Sequence, residues 1–570
     1  MTRRMMSPAA LAGLCFTLLL SALVHGQFGR DRGPDKTLTA AERSEVIEGA
    51  LKSLDSGYVF PEVAKKMAVA IRQRVEKKEY DRVTSARELC SKLTADLQEV
   101  SHDKHLRVGY SSERLPKRQN RKPIPKERDE MRRIVARRNF GFEKIERLSG
   151  NIGYLDLRGF MPPDLAGDTA AAAMNFLANT DALIIDLRQN GGGDPAMVAL
   201  LSTYLFPAGD TVHLNDLYDR PTDSTHQWWT LPYIPGKRYA GKPVYLLTSK
   251  RTFSAAEELT YNLKNLKRAT IVGETTGGGA HPGGLHPISD HCFIFVPSGR
   301  AINPISKTNW EGTGVKPDID VPADLALKTA HLDALKKVKE AATGDAEWTK
   351  QLGEAIDKAE RELAVEKAIT PDLSRITDSK SWSVINAIPK TAKEDGKSVV
   401  HLKPKGGNIP GRSNTGLALV EGLEFAEGII EIDLKGRGKF EASFLGVAFS
   451  VADGKTYEAV YFRPFNFMKD DKSFRARAVQ YVAWPDHTWD KLRKGKPGMY
   501  ESAIKPVPDP SEWFHARVEV TKKRVSVWVD DAKEPCLVVD RLASREKGKV
   551  GLWVDSQEGA FRNLKILPAK

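Results

Sequence analysis

The chain has 570 residues, 41% of them hydrophobic and 28% charged, which is the composition of a globular protein with about three to four domains. Its formal net charge of +13 is distributed over a long chain without a zinc-finger spacing or a Walker-type phosphate loop, so nucleic acid is not an expected partner. The cysteines lie far apart, which argues against a disulfide framework and a cysteine metal site. Cys90, Cys292 and Cys536 are expected to be buried thiols in three different domains.

The first residues have the pattern of an export signal. Arg3 and Arg4 precede an apolar segment, residues 9–23, and residues 24–26 offer a cleavage position before Gln27. Residues 1–26 are therefore predicted to be a signal peptide, and the mature protein is expected to be exported, either periplasmic or extracellular, without a transmembrane span. An uncleaved membrane anchor is the alternative, although the apolar segment is short for a transmembrane helix.

Residues 27–110 are predicted to form a helical subdomain. Thr39 and Glu42 have the spacing of a capping box, which predicts the start of a helix. Apolar residues then recur at helical spacing in three segments, which predicts a small helical bundle packed on a larger domain.

Two histidines, His102 and His105, stand at the end of this region, just before an alternating segment, residues 106–110, that predicts a strand. Neither has an acidic or cysteine partner at zinc spacing, so no metal site is predicted. A structural role is the ordinary expectation at such a corner. His105 becomes a candidate base only if a nucleophile elsewhere in the chain needs one.

Residues 111–150 are rich in lysine and arginine and predict a basic linker and helix, with a polyanion-binding patch as the alternative for this segment. Residues 151–335 alternate between strand and helix, which predicts an α/β domain. Buried strands are expected at 182–187 and 244–247, and a loop at 214–236. The first of these strands is followed by three glycines, residues 191–193, whose backbone N–H groups can face a site without a side chain in the way. Oxyanion binding, phosphate binding and an ordinary tight turn are all open for these glycines.

Ser254 stands where a predicted strand passes into a predicted helix, residues 255–267. The N–H groups at a helix start are unpaired and carry partial positive charge, so a hydroxyl there can attack a carbonyl while those N–H groups receive the oxyanion. The alternative is that Ser254 is only an N-cap, a position that serine favours.

Three further regions complete the chain. Residues 308–321 are turn-rich and contain Glu311, which is either an orienting acid for a catalytic histidine or a surface residue. Residues 336–378 predict a charged helical linker. Residues 379–570 predict a β-sandwich or jelly roll, because alternating strands are separated by turn residues; its tryptophans are candidates for a sugar platform or for the core.

Five sequence blocks occur in one order: IGYLDLRGF, ALIIDLRQNGGG, VYLLTSKRTFSAAEE, ATIVGETTGGGAHP and GVKPDIDV. Together they resemble the tail-specific protease superfamily of serine peptidases, which includes the C-terminal processing peptidases, the tricorn core protease and the repeat modules of interphotoreceptor retinoid-binding protein. The resemblance covers residues 40–335 and implies a crotonase-like α/β peptidase core after a helical subdomain. The C-terminal region resembles laminin-G or concanavalin-like jelly rolls, which implies a binding role toward a glycan or cell-envelope ligand. The expected fold class is therefore multidomain α/β plus all-β.

The resemblance also implies site residues. Ser254 matches the nucleophile of the superfamily. The N–H groups of Gly192 or Gly193 and of Ala255 match its oxyanion hole.

The implied base is a histidine rather than a lysine. The processing-peptidase branch has a lysine base in the block after Gly-Glu, where this chain has Gly279. The tricorn-like branch has a histidine at the position of His105, preceded by a serine where this chain has Lys104. Glu311 matches the region that supplies the supporting acid.

The function expected from the sequence is that of a secreted serine-type peptidase that cleaves peptides or unfolded protein segments through an acyl-enzyme. No metal or organic cofactor is expected. The alternative is a non-catalytic binder of apolar ligands or glycans built on the same core.

Overall fold

The structure is a computed structural model that describes residues 33–115, 125–394, 396–406, 414–439, 443–543, 545 and 547–569. The predicted signal peptide, residues 1–26, lies outside the described residues. The chain divides into two compact units, Met1–Leu363 and Ala364–Lys570. Among the described helices, none combines the length and the apolar character that crossing a membrane requires.

The first unit begins with the predicted helical bundle. Thr39 caps the first helix in a capping box, because the Glu42 N–H donates to Thr39 Oγ1 and the Thr39 N–H donates to Glu42 Oε2. The longer helices of this unit are α1 (Ala40–Gly57), α2 (Pro61–Glu76), α3 (Ala86–Ser101), α4 (Pro125–Ala136), α5 (Pro163–Leu177), α6 (Pro195–Tyr204), α7 (Ala255–Asn265), α8 (Ala326–Ala341) and α9 (Ala346–Lys367).

Twelve strands are described in the same unit. They are β1 (Arg107–Tyr110), β2 (Phe142–Leu148), β3 (Ile152–Leu157), β4 (Ala182–Asp186), β5 (His213–Asp219), β6 (Ser224–Trp229), β7 (Val244–Thr248), β8 (Thr270–Gly273), β9 (Gly283–Pro287), β10 (Cys292–Pro297), β11 (Gly299–Ile302) and β12 (Ile319–Asp320).

The predicted α/β domain is built on a six-stranded sheet of order β12-β8-β7-β4-β3-β2, parallel except for β2. Apolar residues of α5, α6 and α7 pack on one face, and those of α8 and α9 pack on the other. The carboxyl ends of β4 and β7 therefore lead directly into the loops before α6 and α7.

The structure differs from the sequence-based prediction in three segments of this unit. Residues 214–236, predicted as a loop, contain the hairpin β5–β6, which pairs with β11. The polar residues of β5 break the apolar pattern that marks a buried strand. Strand β2 lies in the predicted basic linker but belongs to the six-stranded sheet. Much of the predicted helical linker is α9, which buries Leu352 against that sheet.

A smaller sheet of order β1-β10-β9 joins the helical bundle to the rest of the unit. Helix α3 and strand β10 share one hydrophobic core, which contains Cys90 and Cys292. The two cysteines, which the sequence places in different segments, meet in this core with their Sγ atoms 3.5 Å apart.

The second unit is a sandwich of two seven-stranded antiparallel sheets, as the sequence predicts. One sheet has the order β13-β16-β25-β18-β19-β20-β21 and the other β14-β15-β26-β17-β22-β23-β24. The strands are β13 (Trp382–Ile385), β14 (Ala387–Glu394), β15 (Lys397–Pro404), β16 (Thr415–Val420), β17 (Gly428–Lys435), β18 (Phe444–Asp453), β19 (Thr456–Phe462), β20 (Val479–Trp484), β21 (Glu501–Ser502), β22 (Phe514–Val520), β23 (Arg524–Val529), β24 (Leu537–Asp540), β25 (Lys549–Asp555) and β26 (Gly559–Pro568). Two short helices, α10 (Lys472–Arg475) and α11 (Trp489–Gly495), interrupt them.

Candidate active site

Ser254 is the residue immediately before helix α7, and its backbone is strained. Its φ is 57° and its ψ is −121°, a combination that residues other than glycine rarely adopt. The Phe253 N–H donates to the Asn190 carbonyl and so ties this turn to the loop after β4. Such strain persists only when surrounding contacts enforce it, and it is concentrated at functional sites.

The loop after β4 lies directly against Ser254. A Cβ atom at Gly192 would lie 2.8 Å from Ser254 Cβ and 2.9 Å from the Ala255 nitrogen, so only glycine fits. The Gly192 N–H donates to Asn190 Oδ1 at 2.9 Å. In contrast, the N–H groups of Gly193 and Ala255 have no acceptor among the described residues. Of the two candidate glycines, Gly193 therefore has the N–H group that is available to a ligand.

Glu257, in the first turn of α7, connects Ser254 to the glycine-rich loop. Its carboxylate accepts hydrogen bonds from the backbone N–H groups of Ser254, Gly278 and Gly279 and from the Thr276 hydroxyl. Burial raises the pKa of this carboxyl to about 7, while these donors act in the opposite direction. One buried side chain thus orients two of the segments that surround Ser254.

His105 lies in the turn between α3 and β1, and its side chain is buried. The ring stacks at a tilt on Phe253, with 4.5 Å between ring centroids. A Cβ atom at Gly279 would lie 2.6 Å from His105 Cε1, so the ring occupies the space that a side chain at position 279 would need. The ring thus lies against the side chain of the residue immediately before Ser254.

A second histidine, His281, forms a buried polar cluster that sequence reasoning missed. Its Nδ1 lies 2.8 Å from Asp103 Oδ2 and 3.5 Å from Glu311 Oε2. Asp103 Oδ1 accepts a hydrogen bond from the His105 backbone N–H at 3.0 Å, and Oδ2 accepts one from the Tyr58 hydroxyl. The two segments were visible as SHDKH and GGGAHP, but the contact joins residues 178 positions apart.

The charges of this cluster perturb one another. Burial lowers the pKa of His281, but the hydrogen bond and charge of Asp103 outweigh burial and leave the pKa above its ordinary value. Burial raises the pKa of Asp103, but His281 and His105 outweigh it, so the pKa is lowered. Burial and the charge of Asp103 raise the pKa of Glu311 to about 7.

Glu311 lies beside His281, with 3.5 Å between Glu311 Oε2 and His281 Nδ1, and its role as the orienting acid of His105 stays a prediction. The turn that carries Glu311 is bound to the glycine-rich loop, since Trp310 Nε1 donates to the Gly279 carbonyl and Glu311 Oε2 accepts from the Ala280 N–H. These contacts direct the carboxylate toward Ala280 and His281.

One possible metal-ligand atom from each of Asp103, His281 and Glu311 lies within 4.8 Å of the other two, a spacing that a metal ion could bridge. However, Nδ1 of His281 is already engaged with Asp103, so a metal would have to replace the proton between them. That the site works without metal stays a prediction.

Three segments of the chain match known family models. Residues 151–321 match Peptidase family S41, and residues 38–140 match the N-terminal domain of Peptidase_S41 in eukaryotic IRBP. Residues 378–567 match the 3-keto-alpha-glucoside-1,2-lyase-like domain. The resemblance to the tail-specific protease superfamily is thereby confirmed.

The chain is also similar to individual proteins. It is 29% identical over 182 residues to carboxyl-terminal-processing peptidase 2, chloroplastic, of Arabidopsis thaliana, which covers 30% of this chain and 32% of that protein. Carboxyl-terminal-processing peptidase 1, chloroplastic, of the same plant is 26% identical over 188 residues, covering 32% of this chain and 37% of that protein. The chain thus spans about a third of the length of these relatives. The alignment with the solved structure of the photosystem II D1 C-terminal processing protease covers 50% of this chain and 95% of that chain, at 15% identity and a TM-score of 0.32.

Proposed function

We propose that the first unit is a serine-type peptidase that cleaves peptides or unfolded protein segments through an acyl-enzyme. Ser254 is the nucleophile and His105 is the general base. The observation that carries the proposal is the strained Ser254 at the start of α7, beside two backbone N–H groups without an acceptor among the described residues. The match of residues 151–321 to Peptidase family S41 supports the same assignment.

In the proposed reaction, Ser254 Oγ attacks the substrate carbonyl while His105 accepts the hydroxyl proton. The Gly193 and Ala255 N–H groups donate to the developing oxyanion, which the positive end of the α7 dipole also stabilises. His105 then protonates the leaving amine, and water releases the acyl group. Catalytic hydrogen bonds commonly tighten when substrate is bound, and we expect the His105–Ser254 contact to tighten at that stage.

Asp103 supports His105 in this mechanism. Its carboxylate fixes the His105 backbone, and its negative charge favours the imidazolium that forms when His105 takes the proton. His281 binds Asp103, and Glu311 lies against His281, so Glu311 acts on His105 through His281 and Asp103.

The second candidate function is a non-catalytic binder built on the same core. The features in its favour are Gly279, where the processing-peptidase branch has a lysine base, and Lys104, where the tricorn-like branch has a serine. A binder has no need for an available pair of N–H groups around a strained serine. The peptidase is therefore the better supported function.

Hydrolysis of a fluorescently labelled unfolded protein tests the proposal. We expect turnover by the parent chain and a loss of at least about 10³-fold in the Ser254→Ala variant. Ser56→Ala is the matched control, because Ser56 is exposed on α1, and it should retain full activity. Equal turnover by the parent and Ser254→Ala would refute the assignment.

We also propose that the chain is exported and that the second unit binds a glycan or another cell-envelope component. The export signal pattern and the match to the 3-keto-alpha-glucoside-1,2-lyase-like domain support this. Trp489 is 43% exposed and offers a stacking surface for a sugar ring. A glycan array with the full chain and its Trp489→Ala variant tests it: binding that Trp489→Ala weakens is expected, and absence of any binding contradicts it.

A further inference from the structure

We propose that Cys90 and Cys292 form a disulfide bond that joins the helical bundle to the small β-sheet of the first unit. Their Sγ atoms are 3.5 Å apart, and the side chains lie in one core. A disulfide has an S–S distance of about 2.05 Å, so the bond requires an approach of roughly 1.5 Å between side chains that already face each other. The sequence predicts no pair, because 202 positions separate the two residues.

The two thiols are chemically unequal. Hydrogen bonding from Cys90 lowers the pKa of the Cys292 thiol, with further help from the Ser289 hydroxyl and Lys36 against the effect of burial. The same hydrogen bond and burial raise the pKa of Cys90. In the closed core Cys292 is therefore the thiol that loses its proton more readily.

The oxidant is an external disulfide, such as a thiol–disulfide oxidoreductase of an exported compartment or oxidised glutathione. One cysteine thiolate attacks it, forms a mixed disulfide and expels one thiolate of the oxidant. The other cysteine, after losing its proton, attacks the sulfur of the first cysteine and expels the second thiolate. The two cysteine protons and two electrons thus pass to the oxidant, which becomes two thiols. Because both side chains are buried, 3% and 1% exposed, the exchange takes place before the core closes during folding.

The position of the bond connects it to the candidate active site. Cys90 lies on α3, which ends at Ser101, and the turn with His105 follows before β1. Strand β1 pairs with β10, in register Tyr110↔Cys292. The bond would therefore link α3, which precedes the His105 turn, covalently to β10, which pairs with the strand that follows this turn. This consequence for catalysis rests on the proposed function, whereas the bond itself does not.

Thiol mapping of the full chain tests the proposal. The chain is refolded with a mixture of reduced and oxidised glutathione, denatured, alkylated without reductant and digested for mass spectrometry. We expect a cross-linked peptide pair containing residues 90 and 292, lighter by two hydrogen atoms than the two thiol peptides. Cys536, in the second unit, serves as the internal control and should be alkylated. If Cys90 and Cys292 are both alkylated after oxidative refolding, the proposal is overturned.

Thermal unfolding supplies a second readout. The oxidised chain should unfold about 5 °C higher than the chain treated with dithiothreitol, because the bond restricts the unfolded state. Cys90→Ser should abolish this difference, and Cys536→Ser should retain it. An unchanged difference in Cys90→Ser would contradict the proposal. These readouts do not depend on hydrolysis, so they remain valid even if Ser254 proves not to be a nucleophile.

Discussion

Each of the two units buries a glutamate completely, and the two carboxylates are satisfied in different ways. Glu458 in the sandwich and Glu257 beside Ser254 are both 0% exposed. Glu458 forms a salt bridge of 2.8 Å with Arg541 and accepts a hydrogen bond from the Tyr481 hydroxyl. Glu257 has no salt bridge among the described residues, and its partners are backbone N–H groups and a hydroxyl.

This difference separates a structural role from a positioning role. Glu458 lies on β19 and Arg541 follows β24, so their salt bridge connects the two sheets of the sandwich. A neutralised charge of this kind holds a scaffold together. Glu257 has no positively charged partner among the described residues, and burial raises its pKa to about 7. Its carboxyl group instead orients the backbone around Ser254. Buried charge without a counter-ion is thus found where the chain has a proposed reaction to perform.

The largest expected effect concerns His105, the proposed general base. His105→Gln should lower kcat by about 10²- to 10⁴-fold, because it removes the general base. His281→Gln, which removes a residue that only supports Asp103, should lower kcat less and change its pH profile. Steady-state kinetics on a peptide substrate measure both. A larger loss in His281→Gln than in His105→Gln would show that the base has been assigned to the wrong histidine.

Breaking the salt bridge of the sandwich should affect stability alone. Arg541→Ala leaves Glu458 buried without its counter-ion and should destabilise the second unit by about 3–5 kcal/mol. Peptide hydrolysis by folded protein should remain unchanged. Urea unfolding, monitored beside an activity assay, measures both quantities. The double variant Arg541→Met, Glu458→Leu is the control, since it removes both charges and should recover most of the lost stability.

Glu257→Gln should affect activity through position rather than charge. The glutamine amide has one oxygen, so it can accept either from the Ser254 and Gly279 N–H groups or from the Gly278 N–H and the Thr276 hydroxyl, but not from both pairs. A backbone N–H that is left unsatisfied costs about 1–3 kcal/mol. We expect kcat to fall by about 10- to 100-fold, with a smaller change in KM. Full activity in Glu257→Gln would contradict the positioning role.

The smallest effect is a pH dependence of stability. The folded-state pKa of Glu257 is raised from 4.5 to about 7, so the folded state binds this proton more strongly than the unfolded state. Stability from this group is therefore fully present below about pH 4.5 and is lost as pH rises to about 7, at a slope of up to about 1.4 kcal/mol per pH unit. Urea unfolding at pH 5 and pH 7 should show a smaller decline in Glu257→Gln than in the parent chain. An identical decline would show that Glu257 does not titrate in this range.

Much of the fold could be predicted because its signals are local. Uninterrupted apolar segments predicted the strands β4 and β7, and the position of Ser254 at the start of α7 followed from the change of pattern after β7. The hairpin β5–β6 was missed because polar residues interrupt its apolar alternation.

The contacts within the site could not be predicted in the same way. Serine as a residue type does not indicate a positive φ, which arises from the packing of Gly192 and Phe253 around Ser254. The contacts of Asp103 with His281 and of Cys90 with Cys292 join distant segments, and no spacing rule predicts them. The contact of Glu311 with His281 could not be predicted for the same reason, since hydrogen bonds to Gly279 and Ala280 orient its turn.

Covalent labelling with a fluorophosphonate tests the central claim, that Ser254 is an activated nucleophile, most directly. After reaction with the folded chain, digestion and mass spectrometry locate the modified residue. We expect one label per chain, on Ser254, and a much slower reaction in His105→Gln. Labelling elsewhere, or no label on folded parent chain under conditions that modify a known serine peptidase, would contradict it.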